Sequence, residues 1–186
     1  MHLRSATVSD LEHLIDLDGT IESTQYLHVE KSGEGLALAW RLEPRPRREK
    51  LIDANAVNDD RKFEIKQVIT GVEDGIAVAG EHDGQLMALG IAVVDPTFNL
   101  MRIIDLRVDY DQRRQGIGSA LLYQIISHAR EKELRAVSAV TLTNNLPAAA
   151  FLQKAAFDMT GLDTHRMSNH DLVKESASLF WYAALD

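Results

Sequence analysis

The sequence predicts a mixed α/β fold in which helices pack on both faces of a central sheet. Two strand-like runs, residues 76–81 and 86–94, flank Asp83-Gly84, a dipeptide typical of a two-residue β-hairpin turn. A further strand is predicted over 101–108, and a glycine-rich turn and a long helix follow it. The helix is indicated by Ile117 and the apolar residues that recur every four positions after it.

The composition excludes several classes of protein. The chain has 186 residues and no cysteine, which excludes a disulfide scaffold, a thiolate zinc site and a cysteine nucleophile. The formal net charge of −8 disfavours a nucleic-acid partner and favours a cationic one. No apolar run is long enough for a membrane helix and residues 1–30 lack a secretory pattern, so we expect a cytoplasmic protein without a membrane partner. The length fits one domain over residues 1–186.

The N-terminal third predicts a strand followed by a helix. Residues 3–7 are strand-like, and Ser9-Asp10-Leu11-Glu12 has the pattern of a capping box that begins a helix. Leu11, Leu14 and Ile15 would form the apolar stripe of this helix. Residues 19–34 are compatible with either helix or strand.

The next segment has large apolar residues at alternate positions, and two prolines follow it. Apolar residues alternate over 36–42, which predicts a strand, and we expect Pro44 and Pro46 to end it. Residues 44–62, with basic residues between Arg45 and Lys50, are predicted to be a surface loop.

The C-terminal half predicts further strands and helices. Residues 136–142 and 178–185 are strand-like, and Pro147 is suited to open a helix that reaches Lys154. Strict alternation over 101–108 would place Ile104, Leu106 and Val108 on one face of the strand. It would place Ile103, Asp105 and Arg107 on the other.

The glycine-rich turn, Arg113 to Gly118, is the strongest candidate for chemistry. Glycines let main-chain N–H groups approach an anion closely, and the start of the following helix adds unsatisfied N–H groups and a positive dipole. A phosphate or diphosphate is the natural ligand. As a bare pattern, a plain tight turn is an equally good interpretation, because the third glycine of a dinucleotide site and the Lys-Ser/Thr of a nucleotide triphosphate loop are absent.

Two sets of residues resemble the signatures of the GNAT superfamily of N-acetyltransferases. Arg113, Gly116 and Gly118 match the first, which follows a strand ending in valine. Asn145, Ala148 and Phe157 match the second, in which Ala156 replaces a glycine. Five segments resemble the streptothricin and nourseothricin acetyltransferases in particular; they are 17–20, 104–118, 161–165, 168–171 and 179–182.

This resemblance implies a mostly antiparallel sheet in which strands 101–108 and 136–142 splay apart, with acetyl-CoA as the cosubstrate. The pantetheine arm would lie along the splayed strands, and main-chain amides of the turn would hold the diphosphate. The residues implied in cofactor binding are Leu106, Arg107, Val108, Arg113, Arg114, Gln115, Gly116, Ile117, Gly118, Ser119, Asn145, Ala148 and Phe151.

The resemblance also suggests catalytic and acceptor residues. Asp105 is the first candidate for the base, or for the anchor of the substrate ammonium; the alternative is a carboxylate bonded to a neighbouring loop. Leu152 stands where many family members have a tyrosine that protonates the leaving thiolate. Tyr110 is therefore named as a catalytic candidate, with Tyr123, Tyr182 or water as alternatives. Asp163 and Asp171 are candidates for binding a cationic substrate, or are turn residues.

The predicted function is acetyl transfer to a primary amine of a small cationic substrate, with a streptothricin-type antibiotic as the named candidate. Other amines (an aminoglycoside, a polyamine or a protein amine) and a non-catalytic acyl-CoA sensor are the alternatives. We expect no metal, because His165 and His170 lack a metal-pair spacing. A homodimer is compatible with the sequence.

Overall fold

The computed structural model describes residues 1–185. The strands in that range are β1 (His2–Ser5), β2 (Ile21–Ser32), β3 (Ala39–Asp53), β4 (Gly75–His82), β5 (Gln85–Asp95), β6 (Leu100–Val108), β7 (Ala136–Leu142), β8 (Asp158–Asp163) and β9 (Ser178–Ala184). The α-helices are α1 (Asp10–His13), α2 (Asp59–Ile69), α3 (Ile117–Glu131) and α4 (Leu146–Lys154). None of these helices is both long and apolar enough to cross a membrane.

The chain divides into two compact units. The first contains Met1–Thr20, Ala54–Ala139 and 182–185, and the second contains Ile21–Asp53 and Val140–Trp181. Strands β7 and β9 contribute residues to both units. The single domain expected over 1–186 stays a prediction.

The first unit contains a mixed sheet with the strand order β1-β4-β5-β6-β7. The pairs β1–β4, β4–β5 and β5–β6 are antiparallel, and β6–β7 is parallel. Within the described residues, β6 pairs with β7 only from Leu100–Ala136 to Arg102–Ser138, so the rest of β6 is paired with β5 alone. The predicted fold class, with its largely antiparallel sheet, is confirmed.

The helices of the first unit cover opposite faces of its sheet. On one face, Ile65 and Val68 of α2 pack in one buried cluster with Leu89 of β5. On the other, Ile117 and Leu121 of α3 pack with neighbouring positions of β4 and β5. Successive strand residues point to opposite faces, which is why adjacent residues of β5 belong to different clusters. The predicted apolar stripe of α3 is confirmed, since Leu121, Ile125 and Ala129 are fully buried.

The predicted hairpin between β4 and β5 is also confirmed. Asp83 and Gly84 both have positive φ, 50° and 77°, as a two-residue type I′ turn requires. The local sequence therefore determines this turn without help from tertiary contacts.

Strand β6 departs from the predicted alternation. Ile91 pairs with Asp105 and Ala92 with Ile103, which leaves Ile104 as an extra residue in a β-bulge. Ile104 consequently packs with the α2 cluster, whereas Leu106 and Val108 pack with the α3 cluster. The expectation that Ile104 shares a face with these two residues is wrong, because the bulge shifts the register.

The second unit contains a long hairpin in which β2 pairs with β3 from Ile21–Asp53 to Ser32–Ala39. Of residues 19–34, which the sequence left open between helix and strand, Ile21–Ser32 are therefore strand. The expected end of the strand at Pro44 and Pro46 is wrong, because β3 continues through both. In a two-stranded sheet each strand has an unpaired edge, and a proline that lacks its N–H on that edge loses no ladder bond.

Two further expectations in the N-terminal third are wrong. The Ser9 side chain makes no cap hydrogen bond, and Asp10 instead accepts from the Thr7 N–H at 2.7 Å and from the Arg4 guanidinium at 2.8 Å. The pKa of Asp10 is held below its ordinary value by Arg4, against the effect of burial, with help from Thr7. Helix α1 ends at His13, so Ile15 lies beyond it and is exposed.

Residues 44–62 are not the predicted surface loop. Strand β3 fills their first half, and α2 begins at Asp59. The Asn58 side chain caps α2 by accepting from the Arg61 N–H at 2.8 Å. An asparagine before two aspartates is a helix-start signal, and it was available in the sequence.

Helix α4 ends in a turn whose backbone conformation explains why the resembled pattern has a glycine where this chain has Ala156. The Phe157 N–H donates to the Leu152 carbonyl and the Ala156 N–H to the Gln153 carbonyl, which is a Schellman motif. Ala156 has φ 62°, the left-handed conformation that favours glycine at this place. The unpredicted strand β8 begins two residues later, at Asp158.

Replacing Ala156 by glycine is expected to stabilise the protein by about 1 kcal/mol, because glycine has no β-carbon to strain in the left-handed region. Urea unfolding would measure this as a higher midpoint at an unchanged m-value. A midpoint equal to or below that of the unmodified protein would contradict the strain assigned to Ala156.

Candidate active site

The C-terminal part of β6 carries a buried ion pair. Arg107 donates from Nε and Nη2 to the two oxygens of Asp105, each at 2.7 Å. The Asp105 side chain is 7% exposed and that of Arg107 is 6% exposed. Asp105 and Arg107 point to the same face, as predicted, and they neutralise each other there.

Arg107 also connects β6 to two neighbouring segments of the first unit. Its Nη1 donates to the Asn55 carbonyl at 3.0 Å, and the Asn55 side chain donates to the Gly19 carbonyl at 3.3 Å. A β-carbon on Gly19 would lie 3.1 Å from Arg107 Nη1. The guanidinium of Arg107 is therefore buried and bonded on all three of its nitrogens within the protein, so the predicted cofactor contact is assigned to its main chain.

The segment from Asp18 to Thr20 is bonded to the chain that follows β6. Tyr110 N–H donates to the Asp18 carbonyl at 2.9 Å, and Asp18 N–H donates to Asp109 Oδ2 at 3.1 Å. Hydrogen bonds from Thr20, with a smaller effect of Arg113, hold the pKa of Asp18 below its ordinary value. The exposed Asp18 side chain is thus an ionised carboxylate beside the candidate site.

The side chain of Arg113 holds the glycine-rich turn in place. Its Nε donates to the Val108 carbonyl at 3.0 Å and its Nη1 to the Thr20 carbonyl at 2.6 Å. Its guanidinium carbon lies 5.1 Å from the centre of the Tyr110 ring. The guanidinium thus serves the protein, and the predicted diphosphate contacts of this turn fall to main-chain amides.

The turn has the backbone geometry of an anion cradle. Arg114 and Gly116 have positive φ, 61° and 83°, and α3 begins directly after them at Ile117. Alternating left-handed residues turn successive N–H groups toward one point. No side chain caps α3 and no acidic residue lies in its first turn, so its leading N–H groups and positive dipole are available to an anion. These residues fit the diphosphate of acetyl-CoA.

The second unit holds the other residues implied in cofactor binding. The Asn145 side chain caps α4 by accepting from the Ala148 N–H at 3.2 Å. Phe151 is half-buried on the same helix, and Leu152 is buried. The place of Asn145 in the resembled pattern is thereby explained as a helix cap. Their contact with pantetheine stays a prediction, as does that of Phe151.

The two acceptor candidates differ in their surroundings. Asp163 is half-buried at the end of β8 and accepts from the His165 N–H at 2.9 Å. Asp171 is fully buried and accepts from the Met167 N–H at 2.9 Å and the Ser168 hydroxyl at 2.7 Å. Burial raises the pKa of Asp171, but these bonds lower it further, so the net shift is downward. Asp171 is thus bonded inside its own loop, and its contact with a substrate stays a prediction, as does that of Asp163.

Sequence reasoning missed residues that tertiary structure brings to the site. Asp18 and Asn55 are far from β6 in the chain, and only the 17–20 similarity pointed to the first of them. Within residues 1–185, no group of three or more His, Cys, Asp or Glu side chains is placed to hold a metal ion.

A family model and a curated relative each match part of this chain. The model of the acetyltransferase (GNAT) family matches residues 37–157. Streptothricin acetyltransferase A of Bacillus subtilis strain 168 is 35% identical over 80 residues, which span 43% of this chain and 46% of that protein, so less than half of the relative is matched.

Two solved structures share the fold. One is described as a candidate streptothricin acetyltransferase of Bacillus anthracis strain Ames in complex with acetyl coenzyme A (TM-score 0.78, 18% identity, 98% of each chain covered). The other is nourseothricin acetyltransferase (TM-score 0.77, 21% identity, 100% of this chain and 98% of that chain covered). With a family model that spans more than half of its residues, the chain belongs to the GNAT family of acetyltransferases.

Proposed function

We propose that this acetyltransferase transfers the acetyl group of acetyl-CoA to a primary amine of a small polycationic substrate of the streptothricin type. Acetyl-CoA is the donor that GNAT acetyltransferases use. The observation that carries the proposal is the start of α3, which directly follows Arg114 and Gly116 and has no side-chain cap. Its main-chain N–H groups are suited to hold a diphosphate. The acceptor class rests on the partial match to streptothricin acetyltransferase A and on the net charge of −8.

The main-chain N–H groups from Arg114 to Ser119 would hold the diphosphate. When bound, acetyl-CoA supplies a thioester whose carbonyl carbon the neutral amine attacks, so that a C–N bond forms, the C–S bond breaks and the sulfur leaves as a thiolate. The side chains of the site would manage two protons. The first leaves the substrate ammonium as the amine becomes a nucleophile. The second leaves the nitrogen as the neutral amide forms, and it replaces the proton that the leaving thiolate takes up.

Asp105 is the proposed acceptor of the first proton, directly or through water. A carboxylate has about four lone-pair positions, and Arg107 uses two of them. The remaining positions can accept from an ammonium or a water. Arg107 fixes the carboxylate in one orientation, which favours productive positioning. Tyr110 is the proposed donor of a proton to the leaving thiolate, since Leu152 cannot supply one.

Free-thiol release tests the function. With saturating acetyl-CoA and streptothricin, we expect steady turnover with one thiol released for each amine acetylated. Release only with an aminoglycoside, a polyamine or a peptide amine would replace the acceptor and keep the reaction. No release with any amine would contradict the proposal. A cytoplasmic location and a homodimer remain expectations from the sequence.

A further inference from the structure

A cavity in the second unit lies outside the residues assigned so far. It has a volume of about 300 Å³ and is lined by residues 26–29 of β2, by Thr143 and by Leu172, Val173 and Glu175 of a later turn. The Leu27 N–H donates to the Thr143 carbonyl at 2.8 Å, and the Thr143 N–H donates to the Ala177 carbonyl at 2.9 Å. The main chain thus fixes the walls on both sides of Thr143, and the volume suits part of a small molecule.

The wall of this cavity presents one carboxylate and two aromatic rings. Glu175 lines it with a side chain that is 29% exposed. The rings of Tyr26 and His28 meet edge to face, with their centres 6.1 Å apart. A tyrosine ring and a carboxylate are both groups that attract a cation.

Glu175 occupies a left-handed backbone position that its turn requires and that glycine would fill with less strain. Glu175 has φ 55° and sits in a Schellman motif, in which Ser176 N–H donates to the Asp171 carbonyl and Glu175 N–H to the Leu172 carbonyl. Glycine is the residue that this position favours. What glutamate adds is the side chain, which reaches the cavity wall.

Arg47 takes only one of the hydrogen-bond acceptor positions of the Glu175 carboxylate. Arg47 Nη1 lies 2.5 Å from Glu175 Oε2, while Arg47 Nε donates to the Glu49 carbonyl at 3.2 Å. One bond occupies one of about four acceptor positions of a carboxylate. Arg47 is not among the residues that line the cavity, so its guanidinium does not occupy the position that a cationic ligand would take there.

We propose that this cavity binds the acceptor, and that Glu175 recognises a cationic group of the amine substrate other than the one that is acetylated. The inference rests on the proposed function and deepens it. Thr143 lies two residues before Asn145, which the family resemblance implies in pantetheine binding, so the cavity adjoins the segment expected to hold the donor. Neither Glu175 nor Tyr26 had a role from the sequence.

Three variants test this inference by steady-state kinetics with streptothricin and acetyl-CoA. Glu175→Gln removes the charge, and Glu175→Gly also removes the backbone strain. The matched control is Glu133→Gly, because Glu133 has φ 54° in a second Schellman motif, where Leu134 N–H donates to the Ala129 carbonyl and Glu133 N–H to the Arg130 carbonyl. Glu133 is exposed and lies outside the cavity.

We expect both Glu175 variants to raise the KM for streptothricin about 10- to 100-fold, the range set by a lost charge-assisted hydrogen bond. The KM for acetyl-CoA should change less than about twofold. Glu175→Gly should be no less stable to heat than the parent, which separates recognition from folding, and Glu133→Gly should keep the parent's kinetics.

A streptothricin KM within about twofold of the parent in both Glu175 variants, with turnover intact, would overturn the inference and leave the proposed function standing. An equal rise in the KM for both substrates would also overturn it, since that pattern indicates general disturbance of the loop. If the parent protein itself releases no thiol with streptothricin but acetylates another amine, the acceptor assignment fails, and this inference fails with it.

Discussion

Replacing Gly116 by valine is expected to raise the KM for acetyl-CoA by about 10- to 100-fold. Gly116 has φ 83°, which a β-branched residue rarely adopts, and a β-carbon built there meets no protein atom within 4 Å. The new side chain would project into the space in front of α3 while the backbone shifts to relieve strain. Both changes move main-chain N–H groups away from the diphosphate. Steady-state kinetics at saturating amine measures the effect.

Gly71→Val is the matched control for this prediction. Gly71 has φ 75°, and a β-carbon there also meets nothing within 4 Å, but it follows α2 and is not part of the candidate site. Both variants should lose roughly 1–2 kcal/mol of stability, while only Gly116→Val changes the KM for acetyl-CoA. Equal KM values in the two variants would show that the turn at Gly116 does not bind the donor.

Breaking the Asp105–Arg107 pair should have the largest effect on stability. In Arg107→Met the buried carboxylate of Asp105 loses both of its charged hydrogen bonds, and removal of one partner of a buried pair costs about 3–5 kcal/mol. The double variant Asp105→Leu/Arg107→Met removes both charges together and should regain most of that loss. Chemical denaturation of the single and double variants measures the two free energies of unfolding.

Activity should not follow stability in this series. If Asp105 takes the proton of the substrate, the double variant is folded but loses turnover by about 100-fold, the lower end of what a general base contributes. Asp105→Asn should likewise lower turnover and alter its dependence on pH. Turnover in Asp105→Asn that equals the parent's at every pH would remove Asp105 from the mechanism.

The parts of the fold that the sequence predicted well are those set by local physics. The Asp83-Gly84 turn needs only two residues that tolerate positive φ, and the stripe of α3 needs only helical spacing. A strand was predicted in the region of β3, but its end was predicted wrongly, because tolerance of Pro44 depends on the absence of a neighbouring strand on one side. The strict alternation predicted for β6 was wrong at Ile104, because the bulge there depends on pairing with β5, which no pattern within β6 reveals.

The candidate site divides in the same way. The turn from Arg113 to Gly118 is contiguous in sequence, so its residues and its main-chain geometry were predictable. Asn55 reaches β6, and Asp18 reaches the segment directly after β6, only through tertiary hydrogen bonds. Asp171 was a candidate for the acceptor site because it lies in a segment that carries the family resemblance, whereas its burial is a property of the folded loop.

Calorimetric titration of the folded protein with acetyl-CoA tests the central claim, that main-chain N–H groups at the start of α3 hold the donor's diphosphate. The claim predicts saturable binding at one site per chain, and markedly weaker binding by Gly116→Val than by Gly71→Val. Absence of any binding by the folded, unmodified protein would contradict it.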